Sequence, residues 1–76
     1  MRTKGMQTFE KPLTVRQRQV LLLLALDCTR AEAAKLLGIT VHGVKSHRRN
    51  IGNRLEVHTT AAAVLIACHH GWIGLV

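Results

Sequence analysis

The sequence predicts an all-α domain of four helices with a helix-turn-helix at its centre, and three features carry the prediction. Thr14-Val15-Arg16-Gln17 and Thr29-Arg30-Ala31-Glu32 each have the form of a capping box, in which a threonine hydroxyl and a residue three places on satisfy the first free amides of a helix. Gly38-Ile39-Thr40 offers a permissive helix C-cap and then a fresh N-cap. Around these signals the apolar residues recur at helical spacing. A chain of 76 residues has room for one domain. At that size it buries roughly 60% of its unfolded surface, so modest stability is expected.

Residues 1–12 mix Gly, Lys, Thr and Gln with no apolar period and end at Pro12, so a flexible arm is expected there, with the domain over 13–76. Arg2, Lys4 and Lys11 are more simply a solvated tail than phosphate contacts. Thr14 caps a first helix from Val15 to about Leu26. At about 100° per residue, Val20, Leu23 and Leu24 share one face with Leu21 at its edge, and these are the expected core. Val15, Leu22 and Leu26 fall opposite, as a partner surface or as ordinary exposed leucine.

Thr29 opens a second helix, Arg30 to Leu37, in which Ala33 and Ala34 allow close approach and Leu37 anchors the end. Thr40 opens a third, from Val41 to about Leu55. Val44, Ile51 and Leu55 point inward with His47 beside them, while His42, Lys45, Ser46, Arg49 and Asn53 cluster outward. Arg48 falls nearer the apolar face, where its long stem would snorkel to the rim and meet a phosphate rather than a base. Gly52 costs about 1 kcal/mol in a helix interior, which close approach to another backbone would explain. Thr59 or Thr60 caps a fourth helix, from about Thr60 to His69 or His70, with Gly71 at its C′ position. That helix is apolar almost all round, so one side belongs to the core and the other is most simply covered by a second copy of itself.

Eleven Lys and Arg against four Asp and Glu give a net charge of +7, which suits a polyanion. The charge is concentrated. Thr40 to Arg54 holds Lys45, Arg48, Arg49 and Arg54 and no acid, while His58 to Val76 holds no Asp, Glu, Lys or Arg. Two helices meeting at a tight glycine turn, the second of them basic, are what a protein needs to set a helix in the DNA major groove. Cys28 and Cys68 have no CxxC partner and follow no secretory signal, so reduced thiols in a cytoplasmic protein are expected. The apolar run Val20 to Leu26 and the stretch after Ala61, interrupted by His69, His70 and Gly71, both fall short of the roughly 20 residues that span a bilayer. A membrane-binding cationic peptide is disfavoured because the basic and apolar residues sit on different helices. The five histidines and two cysteines lack zinc-site spacing. No nucleophile with a base, carboxylate pair or phosphate-cradling loop suggests an enzyme, and nothing calls for a metal or cofactor.

From Leu13 to Ile73 the chain resembles the helix-turn-helix domain of the LuxR family of bacterial transcription regulators. The likeness rests on Leu13-Thr14, Arg16, Val20-Leu21, Leu23, Ala25, Thr29, Glu32, Ala34, Leu37, Ile39-Thr40, Val44-Lys45, His47, Ile51, Arg54-Leu55, Val57, Ala63-Val64 and Gly71, with no insertion or deletion. Little but a short arm lies outside the domain, which implies the architecture of the family's free-standing members, of the GerE type. Against the family pattern, Asp27 and Glu56 stand for Gly, Gln17 for Glu, Ala33 for Ile, Gly43 for Thr and Thr60 for Arg.

The resemblance implies a sequence-specific regulator of transcription that binds double-stranded DNA as a homodimer. Lys45, Ser46 and Arg49 would then lie at base edges, with His42 a weaker candidate, since Arg and Lys suit guanine O6 and N7. Arg30, Lys35, Arg48 and Arg54 become candidates for phosphate contact, together with the amides that Thr29 and Thr40 introduce at the starts of helices two and three. Pairing would run through helix four by Ala62, Val64, Leu65, Ala67 and Cys68, with Trp72 and Ile73 following. The alternative is a protein-interaction module that uses the apolar stripes to bind a transcription factor or polymerase subunit, with DNA contact weak or absent.

Overall fold

The computed structural model describes residues 13–74; the expected arm lies outside them. Four helices follow one another: α1 (Val15–Ala25), α2 (Arg30–Leu37), α3 (Val41–Leu55) and α4 (Thr60–His69). Each begins where its cap dictates. Thr14, Thr29, Thr40 and Thr59 all hold extended backbone and accept a hydrogen bond from the amide three residues on. In α1 and α2 the capping box is complete, with Gln17 and Glu32 reaching back to the amides of Thr14 and Thr29 at 2.9 and 2.8 Å.

Each helix also ends in the same way. A left-handed residue follows it, namely Asp27, Gly38, Glu56 and Gly71, with φ of 69°, 68°, 58° and 74°. The next amide then reaches back five residues: Cys28 to Leu23 (3.0 Å), Ile39 to Ala34 (3.0 Å), Val57 to Gly52 (2.9 Å) and Trp72 to Ala67 (2.8 Å). This pattern satisfies terminal carbonyls that would otherwise face no donor. Asp27 and Glu56 therefore adopt, at two of these corners, a left-handed backbone that glycine reaches at least cost.

The core divides into two clusters about α1. Leu13, Leu21, Ile51, Leu55, Ala63, Ala67 and Ile73 form one between α1, α3 and α4, and Val20, Ala33, Ala34 and Val44 form the other between α1, α2 and α3. Because α1 packs against all three other helices, it buries two faces rather than one. The single stripe expected for it is corrected accordingly. Leu21, expected at an edge, is fully buried, and Leu22 packs against the first cluster, while Leu23 and Leu24 are only partly buried against the second. The proposed stripe of Val15, Leu22 and Leu26 is thereby interrupted: Val15 and Leu26 are exposed and Leu22 is not. Of the expected helix-three core, Val44, Ile51 and Leu55 are all buried.

Candidate nucleic-acid interface

The helix-turn-helix is built from local chemistry. The Glu32 carboxylate sits in the first turn of α2, where it accepts from the Thr29 backbone amide and lies against its hydroxyl. Those hydrogen bonds, the backbone one foremost, hold the carboxyl below its ordinary pKa. At the far end Gly38 turns the chain, and Thr40 restarts it by accepting from the Gly43 amide at 2.9 Å. The Arg16 guanidinium on α1 donates to the Leu37 carbonyl at 3.4 Å. A cation at the C-terminal end of α2 also opposes the partial negative charge there. Tied in this way, α2 presents its neighbour α3 at a fixed turn.

α3 carries its polar residues on the side away from both clusters. His42, Lys45, Arg49 and Asn53 are exposed and Ser46 is half-buried. Lys45 and Arg49 are four apart and so share one side of the helix, and α3 contains no acid to neutralise them. Thr29, Arg30, Lys35 and Thr40 are exposed on and around α2. Arg54 is half-buried in the last turn of α3. The outward cluster read from the helical wheel is thus accessible as a set.

Arg48 takes another direction. Its Nε donates to Thr60 Oγ1 at 2.8 Å and its Nη2 to the His58 carbonyl at 3.1 Å, so the guanidinium is turned to the α3–α4 joint instead of the rim. Gly52 explains how it fits. A Cβ at that position would lie 2.9 Å from Arg48 Nη1 and 2.9 Å from the Val57 carbonyl oxygen. The close backbone approach expected of Gly52 is therefore present, joined by the Arg48 side chain.

On α4 the pairing candidates separate. Leu65 is 72% exposed and Cys68 is exposed, Ala62, Val64 and Trp72 are half-buried, and Ala67 is 0% exposed. Ala67 and the adjoining Ile73 belong to the first core cluster, so neither offers surface to a second chain. Trp72 stacks on His70 with ring centroids 4.6 Å apart. Leu24, Ala25, Thr60, Ala61, Val64 and Leu65 line a shallow apolar groove of about 500 Å3 between the end of α1 and α4.

Residues 11–67 match the family described as bacterial regulatory proteins, luxR family. The chain belongs to that family. It is therefore a DNA-binding domain of the transcription-regulator type, and its four-helix architecture is the one the family implies. Among its curated relatives, the transcriptional regulatory protein MctR of Rhizobium johnstonii is 37% identical over 65 residues, which cover 86% of this chain and 30% of MctR. The response regulator protein VraR of Staphylococcus aureus is 39% identical over 61 residues, covering 80% of this chain and 29% of VraR. VraR of Staphylococcus epidermidis matches to the same extent. The chain thus spans about 30% of the length of these relatives.

No helix of the described residues is long and apolar enough to cross a membrane. None of their His, Cys, Asp and Glu side chains form a group of three placed to hold a metal ion.

Two participants at the joint were not legible in the sequence: Thr60 as a hydrogen-bond acceptor and the His58 carbonyl. Both lie ten or more residues from Arg48. The available signal was Gly52, whose presence inside a helix marked a close approach without naming the group that makes it.

Proposed function

We propose that this luxR-family domain regulates transcription by binding specific DNA sites as a homodimer, with α3 in the major groove. The observation that carries the reading is the accessible, acid-free row of α3. Lys45 and Arg49 are long cationic donors suited to guanine O6 and N7, Ser46 accepts or donates to several bases, and His42 and Asn53 flank them. Phosphate contacts by Arg30, Lys35 and Arg54, and by the amides at the capped starts of α2 and α3, would fix the register without choosing sequence. Such a protein works in the cytoplasm, where the DNA is.

Pairing through α4 supplies the second recognition helix. The exposed Leu65, with Ala62, Val64, Cys68 and Trp72 beside it, supports such a contact. Half-sites would then lie about one DNA turn apart. A protein-interaction module, docking on the transcription machinery without DNA, is the outcome that the following experiment separates.

Selection from a random duplex pool, followed by a salt titration of wild type and Arg49→Ala on the recovered site, tests the proposal. Enrichment of a two-part site, and a loss of roughly 1–3 kcal/mol in discrimination for Arg49→Ala, are expected. No enriched sequence, with binding unchanged by Arg49→Ala, would overturn it. Sedimentation of wild type beside Leu65→Glu examines the pairing: a dimer that Leu65→Glu dissociates is expected, and a monomer in both removes it.

A further inference from the structure

We infer that Arg48 is a positioning residue, which fixes the angle between the recognition helix and the pairing helix and so sets the spacing at which two copies meet their half-sites. The inference rests on the proposed pairing through α4. Two independent features of the joint converge on it. Arg48 Nε donates to Thr60 Oγ1 at 2.8 Å and Nη2 to the His58 carbonyl at 3.1 Å, so one planar group on α3 grips the first residue of α4 and the link before it. Gly52 leaves space for Nη1, which would lie only 2.9 Å from any Cβ there.

The grip is directional rather than merely electrostatic. A cation near the N-terminal end of a helix faces the positive end of its dipole, so charge alone would disfavour this placement. What the guanidinium provides is a rigid fork of N–H donors whose directions are fixed relative to one another. Two charge-assisted hydrogen bonds to acceptors on consecutive segments restrict rotation of α4 about the short link Val57-His58-Thr59. Any rotation there is carried through a paired α4 to the partner's recognition helix. A phosphate contact by the same side chain would need the fork turned outward, away from both acceptors.

Three variants distinguish the roles: Arg48→Gln, Thr60→Val, which keeps the shape but removes the acceptor, and the two combined, with Thr60→Ser as the conservative control. They are to be assayed on a series of duplexes carrying the selected half-sites at different separations. Each single variant should lose about tenfold on the preferred spacing and flatten the preference among spacings. The double variant should lose no more than either single one, and Thr60→Ser should behave as wild type. The slope of log K against log salt should not change. A slope lowered by about one unit for Arg48→Gln, with Thr60→Val silent, would make Arg48 a phosphate contact and overturn the inference. Additive losses, or an unaltered spacing preference, would also overturn it. If the wild type selects no DNA at all, the regulator reading fails separately. The grip is then judged by the same four-way comparison in urea unfolding, where non-additive losses support it and additive ones contradict it.

Discussion

The joint between α2 and α3 and the joint between α3 and α4 follow one local plan with different materials. In each, a left-handed residue ends the helix, the next amide reaches back five residues, and a threonine caps the helix that follows. The first joint uses Gly38, and a Cβ there would meet nothing within 4 Å. The second uses Glu56, which carries a side chain into the left-handed region, and adds a strap from Arg48 across Gly52. The α2–α3 joint is therefore closed mainly by backbone chemistry within a few residues, with one long hydrogen bond of 3.4 Å from Arg16 on α1 to the Leu37 carbonyl. At the α3–α4 joint a side chain from the middle of α3, Arg48, bonds Thr60 and the His58 carbonyl. Both joints thus draw on a distant arginine, but the first receives a single 3.4 Å bond and the second two shorter ones, of 2.8 and 3.1 Å.

The largest break in this comparison should come from the cluster beneath the second joint. Ile51 is fully buried on α3 beside residues of α1 and α4, so Ile51→Ala should destabilise the domain by about 2–5 kcal/mol in urea unfolding. For a chain of this size that is a large share of its stability. The Gly52→Ala substitution tests the second joint alone. Helix propensity favours alanine by about 1 kcal/mol. The new Cβ, however, would lie 2.9 Å from the Val57 carbonyl, which is backbone and cannot swing aside. A net loss of about 1–3 kcal/mol is expected, and a gain would mean the joint is looser than described.

The Gly38→Ala substitution is the matching test of the first joint. Since space is available, its cost is conformational only, about 1–2 kcal/mol, and should appear as a lower urea midpoint with an unchanged slope. The smallest effect concerns Glu32. Its carboxyl is held below its ordinary value of 4.5 by the Thr29 amide and hydroxyl. The folded state therefore favours the carboxylate. Its contribution is complete above the unfolded-state pKa and is lost as pH falls through the lower folded value. A Glu32→Gln variant should lose that part of the acid dependence while unfolding normally at neutral pH.

What was legible in the sequence divides along the same line. The first three caps, the turn at Gly38 and the outward side of α3 depend on residues within a few places of one another and stand as read, while the fourth cap, open between Thr59 and Thr60, is Thr59 and Ser46 is half-buried. The arrangement of α1 was not legible, because a helical wheel assigns one inner face and Leu21 and Leu22 serve a second cluster supplied by α3 and α4. Ala67, expected on the pairing side of α4, is buried in the core because a helix apolar almost all round does not reveal which side the other helices cover. Arg48 was read from its place on the wheel alone. Its partner Thr60 lies twelve residues on, beyond the reach of any local periodicity.

The most direct test of the base-reading claim uses the selected site with guanine replaced, one position at a time, by 7-deazaguanine, which lacks the N7 acceptor. Wild type should lose affinity at one or two such positions in each half-site, by roughly 1–3 kcal/mol, and Arg49→Ala or Lys45→Ala should become indifferent at the position that its own residue reads. If 7-deazaguanine has no effect anywhere, or if Arg49→Ala and Lys45→Ala weaken binding equally on every duplex, then α3 holds phosphates and does not read bases.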